Sequence, residues 1–241
     1  MSNINIHQIK ALTFDIFGTV ADWRNSINLE GLNLSKKLNI QNINWLKFAD
    51  LWRSYYKPYI NKVRYGELPW ANIDDLHKMI LEKLLSDHGI NNLNEEEKDN
   101  FNKSWHRLKL WPDVKKGLHR INSKFKIATL SNANIDLLEN LSAYSDVKWD
   151  YILSAEHSKH YKPDPEVYIE ALDRMRLNPE NVMMVAAHGF DLRAAKNIGM
   201  KTAYISRNLE FGENRKIEKI NINEFDIIAN DFQDLANQLN T

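Results

Sequence analysis

From about residue 107 onward, short β-branched runs alternate with amphipathic segments, and this alternation restricts the fold more than any other feature of the chain. The runs are FKIATL (125–130), DYIL (150–153), NVMMVAA (181–187), KTAYI (201–205) and FDII (225–228). Helix-like stretches near 113–123, 134–144, 165–176, 190–198 and 231–239 lie between and after them. Strand followed by helix, repeated, predicts an α/β fold with a parallel sheet covered on both faces. Asp113 after Pro112, Asp164 before Pro165 and Gly199 after a periodic stretch read as helix boundaries. An earlier apolar run, ALTFDIFGTV (11–20), reads as a further strand ending on Asp15. A buried carboxylate is costly unless it is paired or has chemistry to perform.

Residues 21 to about 106 have a different character. Helical periodicity runs through NSINLEGLNLSKKL, NWLKFADLWRSYYKPYINKV, NIDDLHKMILEKLLSDHG and NEEEKDNFNKSWHRL, with no convincing strand among them. The expected organisation is therefore a core of residues 1–20 and 107–241 with a helical cap, 21–106, inserted after the first strand. Such an insertion would lie over the carboxyl end of that strand, where open parallel sheets place their ligand crevice.

Composition narrows the function classes. The 241 residues are 43% hydrophobic and 27% charged, and 32 basic residues balance 32 acidic ones. That describes a globular protein with no global field for nucleic acid or anionic lipid, and points to a small-molecule partner. With no cysteine, disulfides, thiolate nucleophiles and cysteine zinc sites are excluded. The start, MSNINIHQIK, lacks a secretory apolar core and no segment has the length of a membrane span, so a cytoplasmic location is expected. The frequent Asn, Ile and Lys read as genomic base composition.

Four of the predicted strands release polar groups at one sheet edge. Asp15 is followed by Gly18 and Thr19 in a tight turn whose amides could face an anion. FKIATL runs into Ser131 and Asn132; DYIL is followed by Lys162 and Tyr168; NVMMVAA delivers His188 and, in the next helical turn, Asp191. Taken singly these have plain readings: a helix cap, a surface lysine before a proline turn, a solvated loop histidine. Their joint placement in this order favours a catalytic edge.

Asp15-x-x-Gly18-Thr19, Ser131-Asn132, Lys162-Pro163 and Asp191 resemble the four motifs of the haloacid dehalogenase superfamily. The resemblance implies a Rossmann-like parallel sheet core with an inserted helical cap and an aspartate nucleophile, Asp15. The phosphatases of that superfamily carry a second Asp two residues after the nucleophile to protonate the leaving alkoxide. Here that position is Phe17, which cannot transfer a proton. A halide leaves without one. Arg53 in LWR, Tyr168 six residues after Lys162, and the runs FDIFGTVADWR, GELPW, HYKPDPEVY and MMVAAHGFDLRAA are similar to the L-2-haloacid dehalogenase subgroup, in its branch with histidine in the last motif. The better-known members have Tyr at position 17, Ser at 186 and Asn at 188, against Phe17, Ala186 and His188 in this chain.

What the resemblance implies is a homodimeric hydrolase that needs no redox cofactor and no metal. It would convert short 2-haloacids to 2-hydroxyacids through an aspartyl ester. Asp15 would attack carbon, Lys162 keep it ionised, and Asp191, with His188, assist ester hydrolysis. Ile16, Phe17, Thr19, Arg53, Ser131, Asn132 and Tyr168 would form the substrate-binding set. Plain alternatives stand beside these roles: Arg53 stacking within an aromatic cap helix, Tyr168 in the core with Ala171 and Leu172, and Trp23, Trp52 and Trp70 as packing. Asp22 and Trp23 follow the first motif closely enough for one of them to line the pocket. The rival functions are a magnesium-dependent phosphatase of the same superfamily and a non-catalytic binding protein on the same fold.

Overall fold

The computed structural model describes residues 6–213, 218–221 and 223–241. Residues 1–5, 214–217 and 222, which the sequence reading assigns to the core, lie outside the described residues. The first strand, β1 (Ala11–Phe14), is followed by β2 (Ala21–Asp22) and then by helices α1 (Trp23–Leu38), α2 (Trp45–Arg64), α3 (Ile73–Asp87) and α4 (Glu95–Asn102). A 3₁₀ turn (Lys103–Arg107) and β3 (Lys109–Leu110) lead into alternating elements: α5 (Val114–Asn122), β4 (Lys126–Ser131), α6 (Ile135–Ser145), β5 (Tyr151–Ser154), α7 (Pro165–Met175), β6 (Val182–Ala186), α8 (Gly189–Asn197), β7 (Lys201–Ile205), β8 (Ile227–Ala229) and α9 (Phe232–Gln238).

Six strands form one parallel sheet in the order β5-β4-β1-β6-β7-β8. The chain builds outward from β1 to β5 on one side, then returns to lay β6, β7 and β8 on the other. Phe14 consequently pairs with Thr129 of β4 and Val185 of β6, and the loops leaving β1, β4 and β6 diverge at the sheet's carboxyl edge. The strands read as continuous apolar runs because both sheet faces are covered: β1 and β6 are buried at every position. Phe14 stacks on Phe232 of α9 at 5.5 Å and meets Trp149 at 5.6 Å. No helix among the described residues is long and apolar enough to cross a membrane.

The predicted strand and helix order is observed, with one correction. Ala21–Asp22 and Lys109–Leu110 pair antiparallel in a small second sheet where the chain enters and leaves the helical stretch; two-residue strands carry no periodicity to read. Asp113 and Asp164 stand at helix starts but cap neither α5 nor α7. Asp113 accepts both terminal nitrogens of Arg207 at 2.8 and 2.9 Å and the Phe232 amide at 2.9 Å. Asp164 accepts Arg64 Nε at 3.0 Å. Asparagine does the capping instead: Asn44, Asn72 and Asn94 accept a backbone N–H at the starts of α2, α3 and α4, the last two as reciprocal capping boxes.

Candidate active site

Asp15 leaves the end of β1 with its amide bonded to the Val185 carbonyl at 3.0 Å, which fixes where its side chain emerges. The carboxylate is almost fully buried and fully engaged. Oδ1 accepts Lys162 Nζ at 2.9 Å; Oδ2 accepts Thr19 Oγ1 at 2.8 Å and faces His188 Nδ1 at 3.0 Å. Burial alone would raise its pKa, but the Lys162 ammonium and His188 outweigh it and hold the carboxyl far below the usual range. Asp15 is therefore an ionised, desolvated carboxylate.

Lys162 lies between two acids. Besides Asp15, its ammonium donates to Asp191 Oδ2 at 2.5 Å and to the Leu130 carbonyl at 2.8 Å. Burial opposes its charge, and Asp15 and Asp191 restore it, so its pKa moves up. Asp191, in the first turn of α8, also accepts Tyr168 Oη at 2.5 Å, so both its oxygens are taken. Burial raises the Asp191 pKa against the pull of Lys162. Tyr168 thus orients Asp191, and burial plus that carboxylate push its own phenol up.

His188 stands between two carboxylates. Its ring bridges Asp15 on one nitrogen and Glu210 on the other, with Nε2 3.2 and 3.1 Å from the two Glu210 oxygens. Burial would lower its pKa, but Glu210 and Asp15 push it up to about 10. The ring is an imidazolium at neutral pH, with a carboxylate facing each nitrogen.

The remaining predicted residues divide by what they touch. Thr19 holds Asp15 and accepts the Ala187 amide at 2.8 Å, tying the β1 turn to the end of β6. Asn132 accepts the Lys162 backbone amide at 2.7 Å, so it positions the lysine. Ser131 closes a turn to the Ala133 amide at 3.1 Å, and the helix it precedes has Asn134 at its N-cap position. The Ile16 side chain faces away into the core with Val20, Leu138 and Trp149. Phe17 packs edge-on against Trp105 at 5.3 Å. Arg53, on α2, lies over the Tyr56 ring at 4.3 Å and 5.9 Å from the centre of Trp23, and its buried Nη1 has no partner among the described residues. Trp52 is packing, as its burial within an aromatic cluster shows. An open groove of about 550 Å³, lined by Arg24, Lys47, Asp50, Ser54, Phe211 and Glu213, contains none of the groups around Asp15.

The model of the haloacid dehalogenase-like hydrolases matches residues 9–199. The chain belongs to this family. The hydrolase is similar to the crystal structure of the L-2-haloacid dehalogenase PA0810, with 38% identity and a TM-score of 0.92 over 96% of this chain and 99% of that one. The defluorinating L-2-haloacid dehalogenase Rha0230 gives 34% identity and the same TM-score over 97% and 96%. The (S)-2-haloacid dehalogenase 4A of Burkholderia cepacia is 35% identical over 113 residues, 46% of this chain and about half, 49%, of that relative.

One residue beside His188 escapes sequence reasoning. Glu210 is 3% exposed, accepts Trp23 Nε1 at 3.1 Å, and is held below its usual pKa by His188, which outweighs burial. It lies in an aperiodic stretch after β7, and no local pattern marks it. Trp23 was one of two candidates to line the pocket; its indole holds Glu210, while Asp22 caps α1. Gly18 shows why that turn needs glycine: its φ is +90°, and an added Cβ would fall 2.2 Å from Glu210 Oε1.

Proposed function

We propose that the chain is a hydrolytic L-2-haloacid dehalogenase that converts short 2-haloacids to 2-hydroxyacids through an ester on Asp15. The observation that carries this reading is the ionised Asp15 carboxylate beside Lys162, with the aromatic Phe17 where a leaving-group acid would stand. The names of the L-2-haloacid dehalogenases with which the chain shares 34–38% identity support it. An Asp15 oxygen forms a bond to the carbon bearing the halogen. The carbon–halogen bond breaks, and halide leaves with the electron pair, needing no proton. Lys162 offsets the negative charge of Asp15, Asp191 and the bound acid. Arg53 reaches the cleft from α2 with a donor that no group among the described residues satisfies. Ser131 and the amides of Ile16 and Phe17 face the substrate carboxylate.

Ester formation changes the state of His188. Once Asp15 is esterified, the imidazolium loses one of its two anions, and the other, Glu210, remains. Its acidity rises at that stage; release of the Nδ1 proton to solvent leaves a neutral ring, held at Nε2 by Glu210, and Nδ1 then accepts the proton of the attacking water. Asp191, with Lys162 and Tyr168 on its oxygens, orients the lysine. We further propose that residues 21–106 act as a cap on a core of 1–20 and 107–241, and that the enzyme is a cytoplasmic homodimer; size-exclusion chromatography with light scattering tests the assembly.

Halide release from fluoro-, chloro- and bromoacetate and the 2-chloropropionate enantiomers, run with and without EDTA, tests the reading. Release that survives chelation and favours one enantiomer is expected. Turnover of an aryl phosphate dependent on magnesium, with no halide release, would establish the phosphatase instead. A single turnover in heavy-oxygen water places label in the Asp15 peptide if the ester forms, and in the hydroxyacid if water attacks carbon directly.

A further inference from the structure

His77 has no part in the chemistry above. It lies on the inner face of α3 with Ile73, Leu76, Ile80 and Leu81 and is 1% exposed. Its carbonyl accepts Trp52 Nε1 at 3.1 Å, and its ring stacks on Trp105 with centroids 4.2 Å apart at 28°. Phe17 is 6.1 Å from the ring and Tyr56 5.8 Å. The same Tyr56 carries the Arg53 guanidinium at 4.3 Å. Among the described residues, neither imidazole nitrogen of His77 has a partner, nor do Arg53 Nη1 and Trp105 Nε1. Unpaired buried polar groups cost about 1–3 kcal/mol each, so several in one aromatic cluster are an unusual expense for packing alone.

The donors share a character. Burial pushes the His77 pKa down to about 3; Asp74 opposes this, and Arg53 and His106 reinforce it. The ring is neutral, with one N–H to give. An indole N–H and a guanidinium complete the set, between aromatic walls. A carbon–halogen bond suits such walls in the ground state, being weakly polar. As it breaks, the halogen acquires a full negative charge, and fixed N–H groups gain most at that moment.

Resting on the dehalogenase reading, we propose that His77 is a substrate-contacting residue whose ring N–H, beside Arg53 and with Trp105 Nε1–H, receives the departing halogen. The carbon–oxygen bond to Asp15 forms as the carbon–halogen bond breaks; the electron pair goes with the halide, and no proton moves. Bromide binding, read as saturable quenching of tryptophan fluorescence, tests this without turnover. His77→Phe keeps the ring stack and removes the donor; it should weaken bromide binding about ten- to a hundredfold while inhibition by glycolate stays the same. His77→Gln, which keeps an N–H, should recover most of the binding, and Trp105→Phe should lose part of it. Bromide binding indifferent to His77, equal weakening of bromide and glycolate, or no saturable bromide binding by the wild type would each overturn the assignment. If no haloacid releases halide while bromide binding depends on His77, the substrate class is wrong and the anion pocket stands.

Discussion

Between Asp15 and Glu210, the His188 ring has a carboxylate at each nitrogen, and this fixes the sign of its pH behaviour. Its folded pKa, about 10, lies above the ordinary 6.5. Its stabilisation is thus full below about pH 6.5 and is lost as pH rises toward 10. Urea unfolding of wild type against His188→Asn should show a difference that shrinks between pH 7 and 9, by at most about 1.4 kcal/mol per pH unit. A difference independent of pH would mean the ring is neutral. Arg53 gives the complementary case. Its free Nη1 and its stacking on Tyr56 contribute little to folding, so Arg53→Lys should change stability by less than about 1 kcal/mol. Turnover should fall at least about a hundredfold, because a point charge does not replace the guanidinium fork; a steady-state assay paired with denaturation separates the two. At this scale the motif residues Asp15, Lys162 and Asp191 were legible because each follows a strand. Glu210 was not, because nothing around it repeats.

At the scale of elements, the turn after β1 carries the site. Gly18 has positive φ, and its absent Cβ makes room for the Glu210 carboxylate. Gly66, also at positive φ, has nothing among the described residues within 4 Å of an added Cβ. Gly66→Ala should therefore cost only the conformational term, about 1 kcal/mol. Gly18→Ala should cost more, about 2–4 kcal/mol with displacement of Glu210 added, and should impair turnover as well. Thermal melts of the two variants with halide-release rates check the contrast; equal costs would show that Glu210 yields freely. At the helix ends, other groups compete for the capping side chains. Asp113 sits where a cap belongs, yet Arg207 claims it, and Arg207 Nε also holds the Thr19 carbonyl at 2.9 Å. A sequence shows that a residue can cap; it does not show what competes for it.

Across the whole molecule, α2 is latched to the lysine segment. Arg64 donates through Nε to Asp164 at 3.0 Å and through Nη2 to the Tyr161 carbonyl at 3.2 Å, and Tyr161 Oη donates in turn to the Ala71 carbonyl. Arg64→Ala should lower the melting temperature by a few degrees, an effect of about 1 kcal/mol, and raise KM more than it lowers kcat. Hydrogen exchange should quicken at residues 159–165; unchanged exchange there would show that the latch does not hold the segment. The sequence by itself determined the order of strands and helices along the chain and the edge at which polar groups emerge, and marked Asp15, Lys162 and Asp191 as candidates, because periodicity and motif spacing are local properties. Only the tertiary structure decided the protonation of His188, the part of Glu210, and the unpaired nitrogens of His77. Each depends on groups that folding brings together from distant positions, as with Trp23 and Glu210, 187 residues apart. Charge state and desolvation are set by such neighbours in space, and a local pattern carries no record of them.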